Sequence, residues 1–335
     1  QNGHAIECRV YAEDPSNNFI PSPGDITLLV FPEGENVRID TAIDKATTIQ
    51  SFFDPMISKL VVWGPNRQTA INDSIKALKS FIIHGIKTNI SYLINVLQHD
   101  AFANNRLSTK FCDEHTDEII DRIKKSCANI DEEIPMIALA LFTLNFTDVK
   151  TDKSIWEEIG YWREVMRLSF AYQEKAETLE LENIQKNDYS FIHNEKLFST
   201  KLISRNENSV EFNIGKQSFY AFISNNNQGN SFVSINGSLF TLRRIDVLNS
   251  GHGFFESQSG GEGSLFAPTP GKVIKVNVQE GDEVKRGTIL LIVEAMKMEN
   301  NIVATHNAII EKVAVKEGDM VDSDVQLVVL EEIQE

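Results

Sequence analysis

An internal repeat near the C-terminus constrains the fold of this 335-residue chain more than any other feature. Residues Val273–Glu294 align with Ile310–Glu331 at a constant offset of 37, with nine identities in 22 columns. Each copy reads as a strand, a Glu-Gly-Asp turn and a second strand. One copy cannot bury its apolar face alone, so the two copies must pack against each other. The repeat therefore predicts a small β-sandwich with approximate two-fold symmetry.

The segment between the two copies, Ala295–Asn300, is predicted to be the tip of a connecting hairpin. It contains Met296, Lys297 and Met298, an unusual choice for a turn that faces solvent. Taken alone, Lys297 is a solvated surface lysine, as most lysines are. Its place at the junction of two symmetric halves favours a second hypothesis: a long primary amine presented clear of the body for an amide-linked cofactor.

Composition and charge exclude several classes of function. Asp and Glu number 48 against 32 Lys and Arg, and the resulting charge of −16 is a poor match for nucleic acid or an anionic membrane surface. The longest largely apolar run, Ile137–Leu144, is too short to span a membrane. Cys8, Cys112 and Cys127 are odd in number and widely separated, which is typical of a reducing compartment such as the cytoplasm. The seven histidines form no HExxH or Cys/His cluster, so we expect no metal site.

The first 125 residues are predicted to form an α+β domain. Four strand patterns, punctuated by proline and glycine turns, are Ala5–Tyr11, Ile26–Phe31, Val37–Asp40 and Met56–Trp63. Helical periodicity predicts an amphipathic helix over Arg67–Ile83, ended by Gly85, and a second helix over Ile90–Gln98. Because the chain opens at Gln1 directly on a strand pattern, we expect it to be a piece of a longer polypeptide.

Residues 126–255 are predicted to form an antiparallel barrel with one buried helix. The helix is expected at Ile134–Phe146, which is apolar nearly all round. Six short strand patterns, separated by turn residues, follow at 178–181, 197–203, 210–214, 219–223, 232–235 and 239–245. The Gly- and Ser-rich stretch 256–265 is interpreted as a flexible linker, with a long surface loop as the alternative. Residues 266–335 are then the repeat domain, and the whole is a multidomain chain.

The segment Glu294–Met298 resembles the biotin attachment motif of biotin carboxyl carrier domains. Upstream, Ala267–Gly271 resembles the entry of that family into its first strand, so the resemblance covers residues 266–332. It implies that a biotin protein ligase joins biotin to Lys297 through an amide, with Met296 and Met298 at the attachment site. A lipoyl domain has the same sandwich and hairpin lysine, but its lysine usually follows aspartate, so the methionines favour biotin.

Several motifs in the first domain resemble the C-terminal domain of biotin carboxylase. In order along the chain they are Gly3–Arg9, Ala12–Pro15, Pro21–Gly24, Asp54–Leu60 and His84–Asn89. The resemblance implies that Arg9 is a catalytic residue that holds bicarbonate and stabilises the biotin enolate. A guanidinium suits this role because it is always charged and its planar donors fit a carboxylate-like anion. The alternative is a surface arginine paired with a nearby carboxylate of Glu7, Glu13 or Asp14.

Two further residues, Arg38 and Asp54, match positions that this family uses near its subunit interface. We interpret them as a structural ion pair.

The domain order resembles an acyl-CoA carboxylase α subunit. The resemblance implies that 126–255 binds a carboxyltransferase β subunit, and Trp156–Arg163 is most like the methylcrotonyl-CoA type. In the whole enzyme, biotin would be carboxylated with bicarbonate, ATP and Mg²⁺, and the carboxyl group would pass to an acyl-CoA on the β subunit. The ATP-grasp region has no counterpart in this sequence and is expected before Gln1, so these residues alone are expected to be inactive.

Other functions stay open at this point. A propionyl-CoA or acetyl-CoA carboxylase α subunit is one alternative, and a non-catalytic swinging-arm carrier is another. The expected compartment is the cytoplasm, or the mitochondrial matrix in a eukaryote.

Overall fold

The structure is a computed structural model of the chain. It describes residues 2–128, 130–144, 166–172, 175–185, 187–245, 264–267, 270–295, 298–322 and 325–332. These residues form three units, which we call the first unit, the barrel unit and the repeat unit. Within these ranges, each helix is too short or too polar to cross a membrane.

The first unit combines short strands with helices. Its strands are β1 (His4–Tyr11), β2 (Glu13–Asp14), β3 (Ile20–Pro21), β4 (Gly24–Asp25), β5 (Leu28–Val30), β6 (Val37–Thr41), β7 (Thr48–Ile49), β8 (Met56–Gly64) and β9 (Ile82–His84). Its helices are α1 (Arg67–Ser80), α2 (Ile90–Gln98), α3 (Asp100–Ala103) and α4 (Phe111–Ala128), with a 3₁₀ turn at Pro15–Asn17.

The central sheet of the first unit is antiparallel, in the order β1–β8–β6. Ile6, Cys8 and Val10 alternate along β1 and are buried, because successive side chains of a strand point to opposite faces. They share one core with Ile71 and Leu78 of α1. Helices therefore cover one face of the sheet and leave the other face, with the alternate positions of β1, exposed.

Helix α1 ends earlier than the sequence pattern predicts. It stops at Ser80, and Ile82–His84 becomes β9, which pairs with β5. Ile82 is therefore buried by strand pairing, and the prediction of a helix reaching residue 83 was wrong. Gly85 follows a strand and has φ +100°, and a Cβ there would collide with the carbonyl oxygen of Asp25. Glycine is thus required by a close backbone approach and not by a helix end.

The barrel unit contains one helix and eight strands. They are α5 (Glu133–Thr143), β10 (Met166–Tyr172), β11 (Lys175–Gln185), β12 (Asp188–His193), β13 (Lys196–Arg205), β14 (Ser209–Ile214), β15 (Gln217–Asn225), β16 (Asn230–Ile235) and β17 (Ser238–Arg244). Each strand pairs with the next in antiparallel register, and β17 pairs back to β10, which closes the barrel.

Helix α5 lies in the core of the barrel, as predicted. Met136, Ile137 and Leu139 are at most 1% exposed and belong to the same core as Phe170 and Phe212 of the strands. Burial of such a side chain contributes about 1.5–3 kcal/mol. A helix that is apolar on every side can remove all of its side chains from water only where other elements surround it.

Polar and charged side chains of the barrel strands contact both ends of α5. At its N-terminus, Glu133 contacts His193 Nδ1 at 3.4 Å, and Glu177 lies 2.9 Å from the other ring nitrogen. At its C-terminus, Arg205 Nη1 donates to the carbonyl oxygen of Leu144 at 2.9 Å. The last carbonyls of a helix lack partners within the helix, so the guanidinium supplies what the helix cannot.

The repeat unit consists of two interleaved copies of the same motif. Its strands are β18 (Ser264–Phe266), β19 (Gly271–Val276), β20 (Glu283–Val284), β21 (Ile289–Ala295), β22 (Met298–Val303), β23 (Ala308–Val313), β24 (Met320–Val321) and β25 (Gln326–Glu332). They form two four-stranded sheets, β18–β25–β23–β20 and β22–β21–β19–β24. The predicted two-fold sandwich is confirmed.

The turns of the two copies are built identically. Asp282 Oδ2 accepts from Gln279 N and Asp319 Oδ2 accepts from Lys316 N, both at 2.8 Å. The glycine before each aspartate has φ of +93° or +95°, a conformation that favours glycine. Strand β18 begins at Ser264, inside the stretch 256–265 that is interpreted as a linker. The rest of that stretch, 256–263, lies outside the described residues, as does Trp156–Arg163.

Candidate functional site

Arg9 lies on the exposed face of the central sheet in the first unit. Its neighbours Cys8 and Val10 point into the core, so the alternation of β1 directs Arg9 outwards. Its side chain is 57% exposed, and Nε donates to Glu7 Oε1 at 2.9 Å. The hydrogen bond to Glu7, followed by one to Tyr11, raises the pKa of Arg9 above its ordinary value. The guanidinium is therefore a permanent positive charge at the surface.

The ion pair with Glu7 was one of the two sequence-based hypotheses for Arg9, and the structure contains it. An exposed ion pair contributes about 0–1 kcal/mol, because water solvates both charges when it opens. Arg9 can thus exchange Glu7 for another anion at little cost. The pair is compatible with either role.

Lys59 of β8 is the direct cross-strand partner of Arg9, a neighbour that the sequence analysis did not identify. Side chains at such positions lie on one face with Cβ atoms about 4.5–5.5 Å apart. Two adjacent cations repel each other, and Glu7 and Asp40 of the flanking positions offset this repulsion. The signal was present, since Lys59 belongs to the Asp54–Leu60 motif, but only the strand register places it beside Arg9.

The predicted ion pair between Arg38 and Asp54 is wrong. Arg38 instead makes two hydrogen bonds to Asp40, at 2.9 and 2.7 Å, from the same face of β6. Asp54 Oδ1 accepts from the backbone N–H of Met56 at 3.0 Å and so shapes the turn into β8. Residues two apart on a strand share a face, which makes Asp40 the nearer partner.

Glu13 has an unusual environment close to this face. Burial, with a smaller contribution from the charge of Asp54, raises the pKa of Glu13 to about 7. From the sequence, Glu13 was predicted only as a possible partner of Arg9. Its altered pKa follows from desolvation, which the sequence pattern does not reveal.

The predicted attachment site lies in the hairpin formed by β21 and β22. Ala295 and Met298 are cross-strand partners at the end of this hairpin. Exactly two residues join them, Met296 and Lys297, and both lie outside the described residues. The role of Met296, Lys297 and Met298 stays a prediction.

Three possible metal ligands come together elsewhere in the first unit, although the sequence pattern predicted no metal site. His99, His115 and Glu118 have ligand atoms within 4.8 Å of one another. The backbone N–H of Ala101 donates to His99 Nδ1 at 3.2 Å, and Nε2 of the same ring lies 3.6 Å from Glu118. Arg122 already pairs with Glu118 at 2.6 Å, so we interpret this group as a cluster of polar contacts in which His99 links α4 to the segment before α3.

Comparison with known proteins gives both ends of the chain a family. Residues 7–114 match the family "Biotin carboxylase C-terminal domain", and residues 264–330 match "Biotin-requiring enzyme". These two matches confirm the domain types predicted for the first unit and the repeat unit, and the second indicates covalent biotin as the cofactor.

Relatives align over nearly the whole chain. The α subunit of mitochondrial methylcrotonoyl-CoA carboxylase from Dictyostelium discoideum is 27% identical over 98% of this chain and 49% of its own length. The mitochondrial propionyl-CoA carboxylase α chain from Sus scrofa is 29% identical over 98% of this chain and 46% of its own length. The chain thus spans about half the length of the relatives it matches, and its homologues are α subunits of biotin-dependent carboxylases.

Solved structures are also similar to part of this chain. The biotin carboxylase domain of the Hydrogenobacter thermophilus 2-oxoglutarate carboxylase is 36% identical over 36% of this chain and 26% of that chain, with a TM-score of 0.35.

Proposed function

We propose that this chain supplies the C-terminal biotin carboxylase domain, the barrel and the biotin carrier of an acyl-CoA carboxylase α subunit. The single observation that best supports the proposal is the order of domains. A biotin carboxylase C-terminal domain and a biotin-requiring domain occur at the two ends of one chain, with a closed eight-stranded barrel between them.

The proposed division of the chain assigns 1–125 to the carboxylase domain, 126–255 to partner binding, 256–265 to a linker and 266–335 to the carrier. Helix α4 runs on to Ala128, so the first boundary falls inside its last turn. A linker between barrel and carrier would give the carrier a high effective concentration at two separate sites without tight binding at either.

In the first half-reaction, Arg9 is the residue that binds bicarbonate. Its planar donors can hold two oxygens of the anion, and Lys59 beside it adds a second positive charge. The same donors would stabilise negative charge that develops on an oxygen during the reaction. ATP and Mg²⁺ are expected to bind to the part of the α subunit that precedes these domains in the family.

In the carrier, Lys297 is the residue that a biotin protein ligase would modify. Its amine forms the amide, and Met296 and Met298 flank it. Biotin, when attached, supplies a nitrogen that carries a carboxyl group between two active sites. The proposed contribution of this chain is to present that lysine between β21 and β22 of the repeat unit.

The barrel is the proposed binding site for a carboxyltransferase β subunit, on which an acyl-CoA receives the carboxyl group. We favour 3-methylcrotonyl-CoA because of the sequence around Trp156–Arg163. Propionyl-CoA is the alternative that the second group of relatives supports, and acetyl-CoA is a third. The proposed compartment is the mitochondrial matrix in a eukaryote and the cytoplasm in a bacterium.

Co-purification tests this assignment. The full-length α subunit is expressed with a carboxyltransferase β subunit, purified through the α subunit and assayed with 3-methylcrotonyl-CoA, propionyl-CoA and acetyl-CoA. We expect the β subunit to co-purify and one acyl-CoA to be preferred. Deletion of residues 150–255 should abolish co-purification and leave biotinylation intact. Undiminished co-purification of the deletion variant would refute the role of the barrel.

A further inference from the structure

A six-residue segment, His84–Asn89, connects the barrel unit to the strand that carries Arg9. At its first end, His84 is completely buried between two serines of the barrel. Its Nδ1 lies 2.9 Å from Ser224 Oγ and its Nε2 lies 2.8 Å from Ser234 Oγ. Burial lowers the pKa of His84 to about 4, so the ring is neutral, with one donor and one acceptor. A hydroxyl can serve either, and both ring nitrogens are satisfied.

Apolar packing surrounds this contact. The turn between β16 and β17 rests on α1 and α2: a Cβ on Gly237 would lie 2.8 Å from Lys79 Cγ and 3.3 Å from Ile94 Cδ1. The ring of Phe232 lies 6.1 Å from that of His84. The barrel is therefore docked against the first unit, with His84 as a polar contact in the interface.

At the other end of the segment, the side chain of Asn89 makes hydrogen bonds to the backbone of Arg9 and of Tyr11. Its Nδ2 donates to the carbonyl oxygen of Arg9 at 3.1 Å, and its Oδ1 accepts from Tyr11 N at 2.9 Å. Its own backbone N–H donates to Tyr11 O at 3.2 Å. Strand β1 is at the edge of its sheet, so Asn89 supplies the hydrogen bonds that a further strand would make.

The residues between the two ends are also fixed. Gly85 lies too close to Asp25 for any side chain, and Ile86 is buried in the core. The backbone N–H of Lys87 donates to Ser22 Oγ at 3.0 Å. Six residues extend over no more than about 18 Å, so a shift at one end of so short and constrained a segment reaches the other.

We propose that Asn89 is a positioning residue for Arg9, and that the segment His84–Asn89 couples the docking of the barrel to the geometry of the bicarbonate site. The barrel then has a second role besides partner binding, since it supports the first half-reaction. This inference rests on the proposed role of Arg9.

The test measures biotin-dependent ATP cleavage by the full-length α subunit as a function of bicarbonate concentration. Asn89→Ala removes both side-chain hydrogen bonds, and we expect the KM for bicarbonate to rise about tenfold or more, because small misplacements of a substrate-binding group have large effects. The KM for ATP should not change. Asn89→Asp keeps the size and the acceptor for Tyr11, but places a carboxylate oxygen against the Arg9 carbonyl, and should raise the same KM.

The barrel end is tested with the double variant Ser224→Ala and Ser234→Ala. The KM for bicarbonate should rise in this variant too, and combining it with Asn89→Ala should add little, since both changes break the connection through His84. Ser224 Oγ also lies 2.7 Å from Thr27 Oγ1, so Thr27→Ala, which removes that contact alone, should leave this KM unchanged. Ser231→Ala is the matched control. It removes a 2.7 Å hydrogen bond to Asn225 within the same strands and should leave the kinetics unchanged.

The outcomes separate the inference from the function on which it rests. If Arg9→Ala raises the KM for bicarbonate but folded Asn89→Ala and Asn89→Asp variants do not, the inference is overturned and the proposed function stands. Fully additive effects of the two ends would also overturn the coupling. If Arg9→Ala itself leaves bicarbonate kinetics unchanged, the role of Arg9 is refuted and the inference with it.

Discussion

At the scale of single residues, the environment of a charged group decides what it can do. Arg9 and Glu7 form an exposed pair that contributes little stability and can reopen for a ligand. Glu13, two residues beyond the end of β1, is half-buried, and this desolvation raises the pKa of its carboxyl group to about 7. Arg9 and Glu13 both belong to motifs that resemble biotin carboxylase. Arg9 is exposed and keeps its charge, whereas the burial of Glu13 favours the neutral form of its carboxyl group.

Arg9→Ala should impair the first half-reaction selectively. Loss of one preorganised donor typically lowers the rate by about 10²–10³. We expect biotin-dependent ATP cleavage by the full-length α subunit to fall by that factor, while carboxyl transfer to the acyl-CoA, assayed separately, stays unchanged. Arg167→Ala, which removes the arginine of an exposed pair with Glu180 on the barrel, is the control. If Arg9→Ala cleaves ATP at nearly the wild-type rate, Arg9 has no catalytic role and forms only the surface ion pair with Glu7.

Glu13→Gln should change how stability depends on pH. The pKa of Glu13 is about 7 in the folded chain against 4.5 as its ordinary value, so the folded state holds the proton more tightly. The free energy of unfolding therefore falls as pH rises from 4.5 to 7. The lowered pKa of His84 makes the free energy of unfolding rise with pH between about 4 and 6.5. This contribution is the same in wild type and variant, so it cancels in their difference.

We expect Glu13→Gln to melt at a higher temperature than wild type at pH 8, and the difference to disappear towards pH 5. Melting of the first unit at both pH values measures it, with the exposed Glu7→Gln as control. Equal differences at the two pH values would show that Glu13 titrates normally.

At the scale of elements, the barrel depends on the way it holds α5. The helix contributes apolar burial, and side chains from the strands contact both of its ends. His193 contacts the side chain of Glu133 in the first turn, and Arg205 donates to the carbonyl oxygen of Leu144 at the last. The polar groups thus fix the axial position of an otherwise uniform apolar helix.

Arg205→Leu should destabilise the barrel. It removes the donor to the carbonyl of Leu144, and hydrogen bonds to charged groups contribute about 1.5–3 kcal/mol. Arg167→Leu, at an exposed strand position, should change the free energy of unfolding by less than about 1 kcal/mol. Denaturant unfolding of both variants provides the comparison. Equal stabilities would mean that water satisfies these carbonyls and that the helix end is open.

The sequence predicted those helices and strands that depend on a local residue pattern. It did not predict those whose structure depends on contacts with residues distant in the sequence. The repeat predicted both sheets of the sandwich, because each copy contains its own turn chemistry. The pattern missed strands β10 and β12 and helix α4, and it extended α1 into β9. Ile82 fits a helical face and a strand equally well, and only pairing with β5 selects the strand.

The candidate site shows the same division. Arg9 could be identified from its motif, whereas Lys59 and Asn89 became its neighbours only through strand register and a contact 80 residues away. The Arg38–Asp54 pair failed because family resemblance locates positions and not partners.

At the scale of the whole molecule, the chain separates two tasks. The first unit and the barrel are docked through His84 and would position groups for chemistry, while the repeat unit would present one lysine. The proposed function requires that lysine to be the site of biotin attachment.

The measurement that tests this most directly is the intact mass of the 335-residue chain after co-expression with a biotin protein ligase. Lys297→Arg keeps the charge, but a guanidinium is always protonated and cannot form the amide. We predict one biotin adduct on the wild type and on the control Lys285→Arg, an exposed lysine of the same unit, and none on Lys297→Arg. Because the substitution conserves the charge at a position predicted to be a hairpin tip, it should alter stability by no more than about 0.5 kcal/mol. A biotin adduct that persists on Lys297→Arg would contradict the account.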